Sequence, residues 1–226
     1  MKIEIIDQSG YQRDQWAHGS SVQLYIFPPN ANYKEREFSW RVSSASVESP
    51  ASEFTVLYGV KRWIMPFDFS MVLKHTQNEK PLYSITLKPY ETHCFKGDWV
   101  TKSEGMGHDF NLMLKEGADG LLKPLNIVKQ NEARLREVFH EAFDERLPIL
   151  ESRMTLGLIS RHDDFLIETG DGEIRVPKKD LALIHYRIED LDLVRNIRLK
   201  AGNDERQMVV MFVVTYEEDE STCRCD

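Results

Sequence analysis

Residues 38–47 (FSWRVSSASV) alternate without a break, and this run most constrains what the chain can become. Phe38, Trp40, Val42, Ser44 and Ser46 fall on one face, and Ser39, Arg41, Ser43, Ala45 and Val47 on the other. A side-chain period of two belongs to an extended strand and scatters its apolar residues around a helix. Comparable short runs occupy 22–28 (VQLYIFP), 54–58 (FTVLY), 82–87 (LYSITL) and 108–114 (HDFNLML). Residues 62–73 (RWIMPFDFSMVL) are also strand-like, with Pro66 requiring a bulge or an edge position. Strands spaced about ten residues apart and separated by Pro, Gly, Asn and Ser predict an antiparallel sandwich or barrel.

The rhythm then changes. Across 131–147, Leu135, Val138, Phe139, Ala142, Phe143 and Leu147 recur at helical spacing, and Pro148 ends the pattern. A second β-run follows at 154–160, 164–169, 173–176, 181–188, 193–199 and 207–216. TGDG at 169–172 predicts a hairpin turn with Asp-Gly at its centre. The expected organisation is a first β-module over 1–128, a helical connector over 129–150 and a second β-module over 151–216. Residues 217–226 form an acidic tail whose composition predicts disorder.

The 226 residues are 41% hydrophobic and 29% charged, which suffices for a packed core. The net charge is −8, and it is unevenly placed. Residues 1–113 hold 12 basic and 13 acidic side chains, whereas 114–226 hold 17 and 24. Such acidity disfavours nucleic acid and anionic membrane as partners, while leaving the near-neutral half open to a small anion. No apolar run is long enough to span a bilayer, and MKIEIIDQSG lacks a signal-peptide core, so a cytoplasmic location is expected. Cys94, Cys223 and Cys225 form no disulfide framework and complete no zinc site, consistent with free thiols in a reducing compartment.

Most familiar chemistry is missing. The seven histidines form neither an HxH nor an HExxH pair, and His93-Cys94 and His108-Asp109 are neighbours that point to opposite faces of a strand. There is no GxSxG nucleophile elbow, and GMGH at 105–108 leads into a strand rather than a phosphate-binding helix. No cofactor and no metal are expected. Arg41 remains, mid-strand among Ser39, Ser43 and Ala45. Its planar, permanently charged fork suits a carboxylate or phosphate. A solvated outer face, or a structural pair with an acid such as Asp109, are the competing readings. Arg62 carries the same ambiguity.

Five segments together resemble the HutD/Ves family: SSVQLYIFP (20–28), FSWRVSSASVES (38–49), YGVKRWI (58–64), FKGDW (95–99) and HDFNLM (108–113). They stand in the family's order, and the resemblance is specific over about residues 14–114. It implies a mainly β bicupin, with two antiparallel barrel- or sandwich-like modules of jelly-roll type joined here through a helical segment. It also implies an association with histidine utilisation and no established enzymatic activity. Where the family carries T-R-E-L, this chain has Ser21, Val22, Gln23 and Leu24, so one cation and one anion are replaced.

The resemblance points to a small carboxylate metabolite, such as N-formylglutamate or urocanate, as ligand in a regulatory or buffering role. Arg41 would clamp the anion with Arg62 reinforcing the field, and Asp109, Asn111 and Ser21 would supply polar contacts. Trp40 or Phe95 would wall the pocket. Two alternatives stand beside this expectation. One is a cupin-fold isomerase or hydrolase with Asp109 or His108 as general base. The other is a homodimeric interaction protein assembled through the helix at 131–147.

Overall fold

A computed structural model describes residues 1–128, 133–136, 153–202 and 206–216. Strand β1 (Lys2–Ile6) is followed by β2 (Gln12–Trp16), β3 (Gly19–Phe27), β4 (Trp40–Val47), β5 (Ala51–Glu53) and β6 (Val60–Pro66). Next come β7 (Met71–Gln77), β8 (Lys80–Leu87), β9 (His93–Lys96), β10 (Val100–Glu104) and β11 (Gly107–Lys115). The chain forms two compact units, one from Ser9–Glu116 and one from Met1–Gln8 with the described residues from Gly117 onward.

The Ser9–Glu116 unit is a sandwich of two antiparallel sheets, ordered β2-β3-β4-β11-β6-β9 and β5-β10-β7-β8. The alternation of residues 38–47 is realised in β4, the third strand of the larger sheet. Register aligns Ala45 with Asp109, Ser43 with Asn111 and Arg41 with Met113. Beyond β11, Met113 aligns with Arg62, and Arg62 in turn with Phe95. One face of this sheet therefore collects polar side chains across four strands. Trp40, Val42, Phe110, Leu112 and Met65 occupy the other face and are fully buried.

A bulge between Gln23 and Tyr25 sets the phase of β3. Before it, Ser21 and Gln23 share the polar face with Ala45 and Ser43; after it, Tyr25 and Phe27 share the opposite face with Trp40. Tyr25 and Phe27 stack on the Trp40 ring at 5.1 and 6.0 Å. The extra residue thus lets one strand serve polar contents on one side and aromatic packing on the other.

The second unit is also built from two sheets. Its strands are β12 (Ala118–Val128), β13 (Ala133–Arg134), β14 (Arg153–Ser160), β15 (Phe165–Thr169), β16 (Gly172–Val176) and β17 (Leu181–Tyr186). A short helix α1 (Leu191–Arg195) precedes β18 (Arg198–Ala201) and β19 (Arg206–Tyr216). The orders are β1-β17-β14-β19-β12 and β13-β18-β15-β16. Its hydrophobic core includes Leu156, Leu158, Phe165, Ile167, Ile184 and Val213, all fully buried.

Several expectations are corrected. Residues 54–58 are not a strand: the ladder ends at Glu53, and the chain turns at Gly59, whose φ is +68°. Pro66 ends β6 and so costs no ladder bond. Residues 193–199 are not one strand. Leu193–Arg195 belong to α1, where Arg195 lies 3.5 Å from Asp192 one turn earlier and complements the helix C-terminus. The 169–172 hairpin forms with Thr169 opposite Gly172, so its central pair is Gly170-Asp171. β12 pairs with β19 along its whole length, which puts the change of unit at Glu116–Gly117 rather than at 128. The helix expected over 131–147 falls mainly on residues outside those described, as does the tail. Among the described residues, no helix is long and apolar enough to cross a membrane.

Gly157 shows how tightly the second unit is packed. It sits opposite Phe212, and a Cβ there would lie 2.0 Å from the phenyl ring. Gly157→Ala is expected to lower unfolding stability by about 1–3 kcal/mol through overpacking, measured by denaturant unfolding.

A candidate anion-binding cavity between two sheets

The polar face of the larger sheet in the Ser9–Glu116 unit borders a cavity of about 380 Å³. Its lining includes Ser21, Arg41, Ser43, Arg62, Asp109 and Asn111, with Ser52, Glu53 and Phe54 from and beside β5. Arg41 is 4% exposed and Arg62 6%. Burying a guanidinium is costly unless its donors are satisfied. Arg41 Nε donates to Gln23 Oε1 at 2.7 Å and Nη1 to Ser43 Oγ at 2.9 Å. Gln23 is held in place by donating to Gln12 Oε1 at 3.2 Å. Arg62 Nη2 donates to Asn111 Oδ1 at 2.8 Å, and Asn111 Nδ2 donates to Asp109 Oδ1 at 2.8 Å.

Aromatic faces complete the environment. The Arg41 guanidinium lies 4.1 Å from the Tyr33 ring centroid, and that of Arg62 lies 4.7 Å from Phe54 and 5.3 Å from Phe95. These contacts stabilise the cations without neutralising them. Neither guanidinium forms an ion pair among the described residues, and Asp109 reaches Arg62 only through Asn111. Arg62 Nε is buried and has no hydrogen-bond partner among the described residues.

Burial lowers the pKa of Arg41, and it lowers that of Arg62 to about 10, so both remain charged at neutral pH. Asp109 moves the other way. Burial raises its carboxyl to about 7, against the opposing effects of the Asn111 amide, the Arg62 charge and the Ala45 backbone N–H. Lys34, Arg41 and Arg62 line the cavity against Asp14, Glu53 and the half-ionised Asp109, and the buried positive charge is concentrated on the two guanidiniums.

Of the residues expected from sequence, Arg41, Arg62, Asp109, Asn111 and Ser21 are brought together along the cavity. Phe95 backs Arg62 from the neighbouring strand. Trp40 is not a wall: one position from Arg41, it projects from the other face of β4. His108 also lies off the cavity, paired with Asp68 at 2.8 Å on the surface. Gln23, Ser43, Tyr33 and Phe54 were not expected as site residues. Tyr33 and Phe54 lie outside the regular strands, where alternation carries no information. Among the described residues, no three His, Cys, Asp or Glu side chains are grouped to hold a metal ion.

The HutD family model matches residues 8–185. The chain belongs to the HutD family. Solved structures agree with its fold. HutD from Pseudomonas fluorescens is 18% identical, with a TM-score of 0.63 covering 96% of this chain and 100% of that one. A conserved protein of unknown function from Pseudomonas aeruginosa is 17% identical, with a TM-score of 0.66 covering 95% and 99%. Oxalate decarboxylase from Lactobacillus farciminis, in a formate complex, is 5% identical, with a TM-score of 0.61 covering 94% and 86%. This HutD-family chain is thus mainly β with cupin-like neighbours. No curated protein matches it significantly in sequence.

The raised Asp109 value has a sign that can be checked. The folded protein keeps a proton that the unfolded chain, with an ordinary value of 3.8, has already released. The resulting stabilisation is full at acid pH and is lost as pH rises through about 7. Asp109→Asn is expected to flatten this part of the pH–stability curve by roughly a few kcal/mol, read by denaturant unfolding on both sides of neutrality.

Proposed function

We propose that this HutD-family chain is a bicupin that binds a small carboxylate metabolite in the cavity between Arg41 and Arg62. The observation that carries this reading is the pair of buried guanidiniums that form no ion pair among the described residues. A buried cation left unpaired is expensive, and a bound anion offsets that cost. Arg62 Nε, together with guanidinium N–H groups that Gln23, Ser43 and Asn111 do not engage, supplies donors for both oxygens of a carboxylate. Family membership supports a link to histidine utilisation, with intermediates such as N-formylglutamate or urocanate as the ligand class and a regulatory or buffering role. Fold neighbours are consistent with this chemistry: a HutD structure from a formate condition, and a vicilin from Solanum melongena with different anionic ligands in structurally similar pockets.

Asp109 favours a second reading. A carboxyl near neutrality beside a bound acid is placed for proton transfer, as an isomerase or hydrolase requires. Incubation with the same acids, followed by chromatography of products, separates turnover from binding.

Binding is tested by calorimetric titration of N-formylglutamate, urocanate and formate into the wild type and Arg41→Ala. We expect one acid to bind and Arg41→Ala to weaken it about 10- to 100-fold, the range for a hydrogen bond to a charged group. Equal affinity in both proteins, or no binding to either, overturns the reading.

A further inference from the structure

A second cluster lies in the same sandwich and takes no part in the arginine cavity. His75 on β7 is 1% exposed and faces the larger sheet, where His93 on β9 is half-buried. Their Nε2 atoms are 3.2 Å apart, and the Tyr83 hydroxyl lies 3.3 Å from the same His93 nitrogen. Phe95 separates this cluster from Arg62, with its ring 4.9 Å from that of His75. A separate cavity of about 520 Å³ is lined by His75, Tyr83, Ser84, Glu53, Lys74 and Lys102. The two lysines at this cavity are paired with Glu104 and Glu53, so the approach is not dominated by positive charge.

Two imidazoles that turn the same nitrogen toward each other need something between them. A single proton can occupy that position, and so can a cation. Metal–nitrogen bonds of about 2.0–2.1 Å at a tetrahedral angle put two ligand nitrogens about 3.3–3.4 Å apart, close to the spacing seen here. His75 is oriented as metal-binding histidines commonly are. Its Nδ1 lies 2.9 Å from Thr101 Oγ1, and with Nδ1–H donated there Nε2 presents a lone pair to the gap. With its own proton on Nδ1, His93 turns a second Nε2 lone pair into the same gap.

We propose that His75 and His93 form a binding site for one divalent first-row transition-metal ion, with the Tyr83 hydroxyl and water from the adjoining cavity completing its coordination. Neutral imidazole ligands suit zinc, cobalt, nickel and copper rather than magnesium or calcium. The site is independent of the carboxylate reading, since none of its ligands lines the arginine cavity.

The test titrates cobalt(II), and separately zinc, into the metal-free full-length chain. Visible d–d absorption and calorimetry read the binding. The wild type is expected to take up one equivalent without thiolate charge-transfer absorption. His93→Gln loses that equivalent while His108→Gln keeps it, and Thr101→Val weakens it by roughly 10- to 100-fold through the lost orientation of His75. Circular dichroism confirms that His93→Gln, a substitution on an edge strand, remains folded. Uptake that persists in His93→Gln, uptake marked by thiolate absorption, or no uptake by the wild type overturns the proposal.

Discussion

Two guanidiniums buried between the sheets, with no ion pair among the described residues, dictate much of the Ser9–Glu116 unit. Removing a charged group from water costs several kcal/mol unless hydrogen bonds and nearby polarisable groups compensate. The surrounding residues respond to that demand. Gln23 and Ser43 receive Arg41, Asn111 receives Arg62, and Tyr33, Phe54 and Phe95 offer ring faces. Gln23 is informative here. It stands where the resemblance places a glutamate, and as an amide it orients Arg41 without cancelling its charge. The bulge in β3 and the alternation of β4 deliver these polar atoms to one side while aromatic packing occupies the other.

The two units solve the same architectural problem with different contents. In the second unit the space between strands is filled by branched aliphatic and phenyl groups, and even Gly157 is covered by the Phe212 ring. In the first, the corresponding space admits charge and open volume. Filling an interior maximises stability, whereas leaving polar room in it makes recognition achievable. The division of labour follows from side chains placed on similar sheets.

Much of this was legible in the sequence, and the failures have physical causes. Unbroken alternation in 38–47 told which residues accompany Arg41, and motif order brought Arg62, Asp109 and Asn111 to the same place. That alternation also excludes Trp40, which was expected as a wall of the pocket. The segment LVRNIRL reads as β by composition, yet its first three residues complete helix α1. Strands β1, β2, β5, β9, β10, β12 and β13 were missed. All but β12 are short, and β2 is exposed along its whole length, so no apolar period reveals it. Tyr33 and Phe54 reach their arginines from irregular segments, which no periodicity encodes. The His75–His93 pair escaped because it joins residues on two different strands, where ligand-spacing rules are silent.

Strand β1 pairs along Lys2–Ile6 with β17 at Leu181–Tyr186, although the residues between them include an entire separate unit. In topological terms Ser9–Glu116 is an insert carried inside another fold. The opening residues leave the ribosome long before their partner strand exists, so β1 must wait, unpaired, through the synthesis of a complete neighbour. The β1–β17 pairing is therefore a contact of high sequence separation, available only once the intervening unit has been made.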